Sequence, residues 1–410
     1  MTLLQSSKIL RNKEGEKLNV GIADADLIAN VNHRFPNSCC MRISGYYLGI
    51  GDTTELITEW EQVHKFDKVY ISKVFTGTII PDEILSLPNV VYGGTGFYYP
   101  KTAPRLPPEI EHHMPDYNLY SEWVKSMIDK GYKKSEFFFY TSCSIGKLTD
   151  GCFKGCSFCV NKDCTEVRFN AHIEEFHNKD YGVFIFLDDQ FLGYRDWEPL
   201  LDEVIKTGKP FQFKQGLDIR LMTDKKAEKL TKANYYKDFI FAFDNINDEP
   251  IIREKLALWR KYTQKRTKLY TFCGYEEKRN KLQEYETEFW VKDLDSVFKR
   301  IFILAEYDCV PYIMRHLDYK LSPFSVIYNE IASWCNQPWA LRTMTYRQFC
   351  IGRGMGKRYK QYKHDPERYL QDGHKKGSQW LAMEKFEKEY PEIAAKYFDK
   401  KYSDLCIKAA

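Results

Sequence analysis

Nowhere in the 410 residues does an apolar run approach the length a membrane-spanning helix needs, so no transmembrane segment is expected. A charged-then-apolar leader is also missing, and a cytoplasmic protein is the expectation. Neither sign of charge dominates: 61 Lys and Arg against 57 Asp and Glu leave a net of +4. That balance permits an anionic partner without demanding one. Low-complexity tracts are absent, and nothing repeats beyond a strand–helix period. The twelve cysteines are scattered through a long chain rather than packed as in small secreted domains, which reads as free thiols with some metal ligands among them.

What is present suits two or three domains with sizeable cores, since 43% of the residues are hydrophobic. Early on, "LNVGIA" (Leu18–Ala23), "TTELIT", "KVYISKVF" and "NVVYGG" read as strands, with a helix from Asn37 to Leu48 that ends at Gly49 and Gly51. A small Rossmann-like α/β domain over 1–115 accounts for them. The Pro-rich run "YYPKTAPRLPPEIEHHMPDY" marks a linker. From Phe137 a second series begins with "FFFYTS", followed by "VFIFL", "FQFK", "FIFAF", "KLYTFC" and "PYIMR". These runs are apolar on both faces, as strands of a parallel sheet should be, and each gap can hold one crossover helix. Six such units over 137–320 make a partial (β/α)6 TIM-like barrel, with its chemistry at the strands' C-terminal ends. The remainder, 321–410, reads as a helical, basic extension.

The densest chemistry is "TDGCFKGCSFCV", where Cys152, Cys156 and Cys159 follow the first strand of that series. Three thiolates can hold three irons of a 4Fe-4S cubane and leave the fourth iron open. Gly151 and Gly155 allow the backbone to wrap closely. The C-x-x-x-C-x-x-C spacing, with Phe158 before the last cysteine, resembles the radical S-adenosylmethionine (SAM) superfamily. That resemblance implies reductive cleavage of SAM to a 5′-deoxyadenosyl radical that takes hydrogen from a substrate. It also implies an external, flavodoxin- or ferredoxin-like electron donor. It covers most of 137–318 and suggests further contacts. "FLDDQFLG" places Asp188 and Asp189 where the family contacts the SAM amino group. "QGLDIRLM" offers Asp218 and Arg220, "AFDN" offers Asp244 near the ribose, and "FCGYEE" offers Gly274 against the adenine. "FPNSCCMRISGYYLGIGD" and "VVYGGTG" are similar to the cobalamin-binding-like domain of some radical SAM proteins. The D-x-H-x-x-G signature is missing from "GIADADLIANVNHRF", so cobalamin on a histidine ligand is not expected, and cobalamin bound without one stays open. The closer likeness, to bacterial and phage radical SAM proteins of undescribed reaction, names no substrate.

Plainer readings stand beside these. The cysteines could hold a structural zinc with Cys164 or His172 as fourth ligand, although no further C-x-x-C unit occurs. The protein would then be a zinc-stabilised nucleic-acid-binding module without catalysis. Alternatively, a cluster could serve a redox-responsive binder. Asp188 and Asp189 could cap or close a turn, and Asp218, Arg220 and Asp244 could form an internal ion-pair network. Cys143 and Cys164 fit extra ligands or buried, idle thiols, and Cys273 fits a catalytic thiol or an idle one. Gly93, Gly94 and Gly96 fit a tight turn or a phosphate cradle. "CIGRGMGKRYKQYK" fails as a P-loop. With Arg342, Arg347, Tyr359 and Tyr362 it could grip phosphates and stack bases, or form a solvated helical face. A nucleoside or RNA substrate follows from that segment as an expectation.

Overall fold

A computed structural model describes residues 17–276 and 285–406. It is mixed α/β with parallel sheets and many helices, and it divides into two compact units, Met1–Gln215 and Gly216–Ala410.

The first unit opens with a four-stranded parallel sheet of β1 (Asn19–Asp24), β2 (Thr53–Ile57), β3 (Lys68–Ser72) and β4 (Val90–Gly93), in the order β2-β1-β3-β4. Alternation along each strand sends neighbours to opposite layers. Val20, Ile22 and Tyr70 enter one core with the Ser38–Gly49 helix. Ala23, Val69 and Ile71 enter another. The helix begins where Asn37 accepts from the Cys39 and Cys40 amides.

The same unit continues with β5 (Cys143–Gly146), the short β6 (Thr149–Asp150) and β7 (Arg168–Phe169), then β8 (Val183–Phe186) and β9 (Phe211–Phe213). β5, β8 and β9 form a parallel sheet, while β6 and β7 pair antiparallel. The first strand of this series is not "FFFYTS". Residues Lys134–Phe137 and Phe138–Thr141 are helical instead, and the strand starts at Cys143. The aromatic run has helical spacing: Phe137 and Tyr140 are buried against Trp123, while Phe138 and Phe139 are only half-buried. The true strand, Cys-Ser-Ile-Gly, is too small and polar to announce itself.

The second unit holds a parallel sheet of β10 (Phe239–Ala242), β11 (Thr267–Cys273) and β12 (Cys309–Arg315). The Thr287–Glu306 helix buries Trp290, Leu294, Val297, Phe298 and Ile301 in the core of this unit. From Ser325 onward the described chain is helical, and it shares that core through Trp334, Tyr346, Trp380 and Phe398. None of the described helices is long and apolar enough to cross a membrane.

Candidate metal centre and its surroundings

Cys152, Cys156 and Cys159 lie on one loop that leaves the C-terminal end of β5. The β6–β7 ladder pins its two ends, with Thr149 opposite Phe169 and Asp150 opposite Arg168. Between these anchors the chain turns through Gly151 (φ +89°) and Gly155 (φ +57°), left-handed conformations that favour glycine. A Cβ on Gly151 would lie 2.5 Å from the Glu166 carbonyl oxygen, so the two sides of the loop's neck touch there. The Cys159 amide donates to the Cys156 carbonyl at 2.9 Å, and the Asn161 amide approaches the Cys159 sulfur at 3.4 Å. All three cysteines are partly accessible. Burial pushes the Cys159 thiol up, although the Asn161 amide opposes the shift, and the charges of Asp189, Cys152 and Cys164 push the same way as burial. Cys164 lies on the same loop, its amide donating to the Asn161 carbonyl at 3.0 Å. A cation bound here would reverse the upward shift, because a coordinated thiol is deprotonated.

The two aspartates after β8 brace this loop. Asp188 is 2% exposed. Its Oδ1 accepts from the Thr149 amide at 2.6 Å and the Thr149 hydroxyl at 2.7 Å, and its Oδ2 accepts from the Leu148 amide at 3.2 Å. Burial pushes its carboxyl up to about 7, against the pull of these donors. These bonds reach back to Leu148 and Thr149 rather than forward to the next helix or turn, so they tie β8 to the start of the cysteine loop. Asp189 uses Oδ2 for two bonds, one from Lys147 Nζ at 3.0 Å and one from the Gly151 amide at 3.1 Å. Lys147 also donates to Asp150 at 3.0 Å, and Arg105 pairs with Asp150 from the Pro-rich segment. Burial works against the Lys147 charge, yet Asp189 and Asp150 hold its pKa above the usual lysine value. The Pro-rich segment touches the loop again where the Thr102 hydroxyl donates to the Val160 carbonyl at 3.0 Å. Phe153 rests on Gly193, where a Cβ would stand 2.6 Å from its ring.

Sequence reasoning missed Lys147, Asp150 and Arg105. The first two flank "LT" immediately before the cysteines, and a charge pair three residues apart at a strand end was the available signal. Arg105 lies 45 residues from its partner and left no such signal.

His172, considered as a fourth zinc ligand, turns Nδ1 to Glu203 at 2.9 Å. Among the described residues, the set of three potential ligands that converges within 4.8 Å is His172, Glu174 and Glu203, with no cysteine in it. Cys143 is buried within β5. Gly94 and Gly96 form a tight turn, since a Cβ on either would meet the backbone of Lys73 or Phe75.

In the second unit, Asp218 accepts from the Arg220 amide at 3.0 Å, from Nε at 2.8 Å and from Nη2 at 2.9 Å, and Arg220 Nη1 reaches Asp248 at 2.5 Å. The internal network weighed for this pair is therefore formed. Asp244 accepts from the Phe272 amide at 3.0 Å. Burial pushes its carboxyl up, with Arg300 opposing. Gly274 (φ +80°) donates its amide to Asp293 at 2.8 Å, and Tyr328 donates to the same carboxylate at 2.7 Å. Arg300 is 1% exposed and donates to the carbonyls of Phe243, Asp244 and Phe272 at 2.9–3.0 Å. Asp293 and Arg300 were also missed. Their signal was a pair of charges seven residues apart on a helix, a spacing of nearly two turns that puts both on one side. The Cys273 thiol is buried, donates to the Met314 carbonyl at 3.7 Å, and is pushed up by that burial.

No protein-family model matches the chain, and no curated protein does. Among solved structures, the radical S-adenosylmethionine methyltransferase TsrM from Kitasatospora setae, with cobalamin and a 4Fe-4S cluster bound, aligns at a TM-score of 0.47 and 12% identity. The alignment covers 73% of this chain and 75% of that one. The cobalamin-dependent S-adenosylmethionine radical enzyme OxsB, with aqua-cobalamin and S-adenosylmethionine bound, aligns at 0.42 and 13% identity, over 79% of this chain and 56% of its own. Scores and identities this low do not establish a shared fold. Both solved proteins are described with cobalamin.

Proposed function

We propose that the protein is a radical SAM enzyme in which Cys152, Cys156 and Cys159 hold a 4Fe-4S cluster. The observation that carries this is a loop bearing three part-accessible thiols, pinned at its neck by a two-stranded ladder and braced by Asp188 and Asp189. The all-sulfur donor set suits iron–sulfur chemistry. When bound, such a cluster supplies an electron and an open iron for SAM, whose cleavage yields a hydrogen-abstracting 5′-deoxyadenosyl radical. The chain's own residues set the frame: Asp188 fixes the exit of β5, Asp189 ties Lys147 to Gly151, and Gly151 and Gly155 give the loop the turns that would let its thiols hold a cluster. The parallel order of the first sheet supports the Rossmann-like assignment, and the two three-stranded parallel sheets support the partial barrel. SAM contacts at Asp188, Asp189, Asp218, Arg220, Asp244 and Gly274 belong to the same proposal, as does an external electron donor.

Anaerobic reconstitution with iron and sulfide, then reduction with SAM present, tests the class before any substrate is known. About four irons per chain and release of 5′-deoxyadenosine are expected, and Cys156→Ala should lose both together. A single zinc and no 5′-deoxyadenosine would refute the proposal. One observation favours a second reading: Cys164 lies on the same loop, its amide donating to the Asn161 carbonyl at 3.0 Å, and as a fourth thiol it would close the site and leave no iron for SAM.

A further inference from the structure

The structure sorts the cations of "CIGRGMGKRYKQYK" and its flanks into two groups. Arg342 pairs with Asp308 at 2.6 Å, Arg353 with Glu330 at 3.2 Å, and Arg347 with both Glu387 at 2.6 Å and Asp399 at 2.7 Å. Arg347 and Arg353 bind the helical region to itself, and Arg342 binds it to the residue before β12. Lys357, Arg358, Lys360 and Lys363 are exposed, and among the described residues none of them meets a carboxylate.

Local structure explains the division. Gly356 (φ +58°) ends the Tyr346–Met355 helix, and the chain continues as a short 3-10 turn into Tyr359–Tyr362. The tyrosines anchor this piece. Tyr359 lies against Gly352, where a Cβ would stand 2.8 Å from its ring. Tyr362 is buried, donates to Asp372 at 2.8 Å and packs edge-on against Tyr369. With both rings anchored, Lys357, Lys360 and Lys363 recur every three residues, a spacing that brings helical side chains to neighbouring positions about 5–6 Å apart. The base stacking expected of Tyr362 is therefore not available, whereas a row of point charges is.

We infer that Lys357, Arg358, Lys360 and Lys363 form a binding face for a nucleic-acid backbone, held through its phosphodiesters without reading bases. A linear row of unneutralised cations fits a linear polyanion. A lipid surface would call for apolar side chains beside the charges, and the two interleaved here are anchored elsewhere. This inference stands apart from the cluster chemistry and needs no metal.

The test is fluorescence anisotropy of the full chain with labelled single-stranded RNA and DNA of one sequence, about 16 nucleotides long. Salt is raised from about 50 to about 200 mM. With four phosphate contacts the log–log slope should be about −3, close to a 50-fold loss of affinity over that range. RNA and DNA should bind alike, because neither bases nor sugar hydroxyls are read. The combined Lys357→Ala, Arg358→Ala, Lys360→Ala, Lys363→Ala variant should lose the slope while keeping its melting temperature. If that variant misfolds, Lys357→Glu and Lys363→Glu singly should each flatten the slope by at least about 0.7. Salt-independent binding, wild-type binding by the variants, or binding to phosphatidylserine vesicles but not to oligonucleotides would each overturn the assignment.

Discussion

Asp188→Asn isolates what a buried carboxyl does for the cysteine loop. Three donors converge on Asp188, yet burial pushes its carboxyl from 3.8 to about 7. Its folded pKa lies above its unfolded one, so its contribution to stability is fully present below about 3.8 and is lost as pH rises through about 7. A tenfold change in proton affinity is worth ~1.4 kcal/mol, so the wild type should lose ~3 kcal/mol through this group between pH 5 and pH 8. Asparagine is the same size and does not titrate. Its oxygen can keep both Thr149 bonds, but its amide must face the Leu148 N–H, leaving that buried donor unsatisfied at a cost of ~1–3 kcal/mol. At pH 5 the variant should therefore be the less stable protein, and by pH 8 the difference should shrink or reverse. Asp24 is also pushed to about 7, chiefly by burial, and titrates in the same window. The quantity to read is accordingly the difference between wild type and variant in urea unfolding at several pH values. A difference that does not change with pH would refute the reasoning.

Cys164→Ser decides between an open and a closed metal site: full iron content and 5′-deoxyadenosine release are expected, and loss of both would show the fourth thiol to be a ligand. Gly151→Ala forces a side chain into a left-handed conformation and against the Glu166 carbonyl. It should lower stability by ~1–3 kcal/mol and lower iron content with it, measured by thermal melting and metal analysis. Arg300→Met leaves three buried carbonyls without their donor and Asp244 without its cation. A loss of ~3–5 kcal/mol in urea unfolding is expected. Arg105→Ala breaks a half-exposed pair with Asp150 and should cost less than ~1 kcal/mol, with iron content unchanged.

The strands were legible wherever β-branched and aromatic residues concentrated: in "VFIFL", where both faces are buried, and in "KLYTFC", where buried and part-buried residues alternate. The cysteine spacing was legible because three thiols within eight residues are a local pattern, visible before any folding brings distant residues together. "FFFYTS" misled because an apolar run does not state its period until neighbours such as Trp123 select the buried positions. Charged residues were the least legible. A lone Asp or Arg carries no local mark of its partner, and here the partners are far along the chain: Asp188 to Thr149, Arg300 to Phe243, Arg347 to Asp399. Composition and spacing alone thus determined which residue types and short elements this protein has. Tertiary structure alone decided which charges are neutralised and which stay exposed, because an ion pair depends on separation in space, and only the folded chain sets that separation.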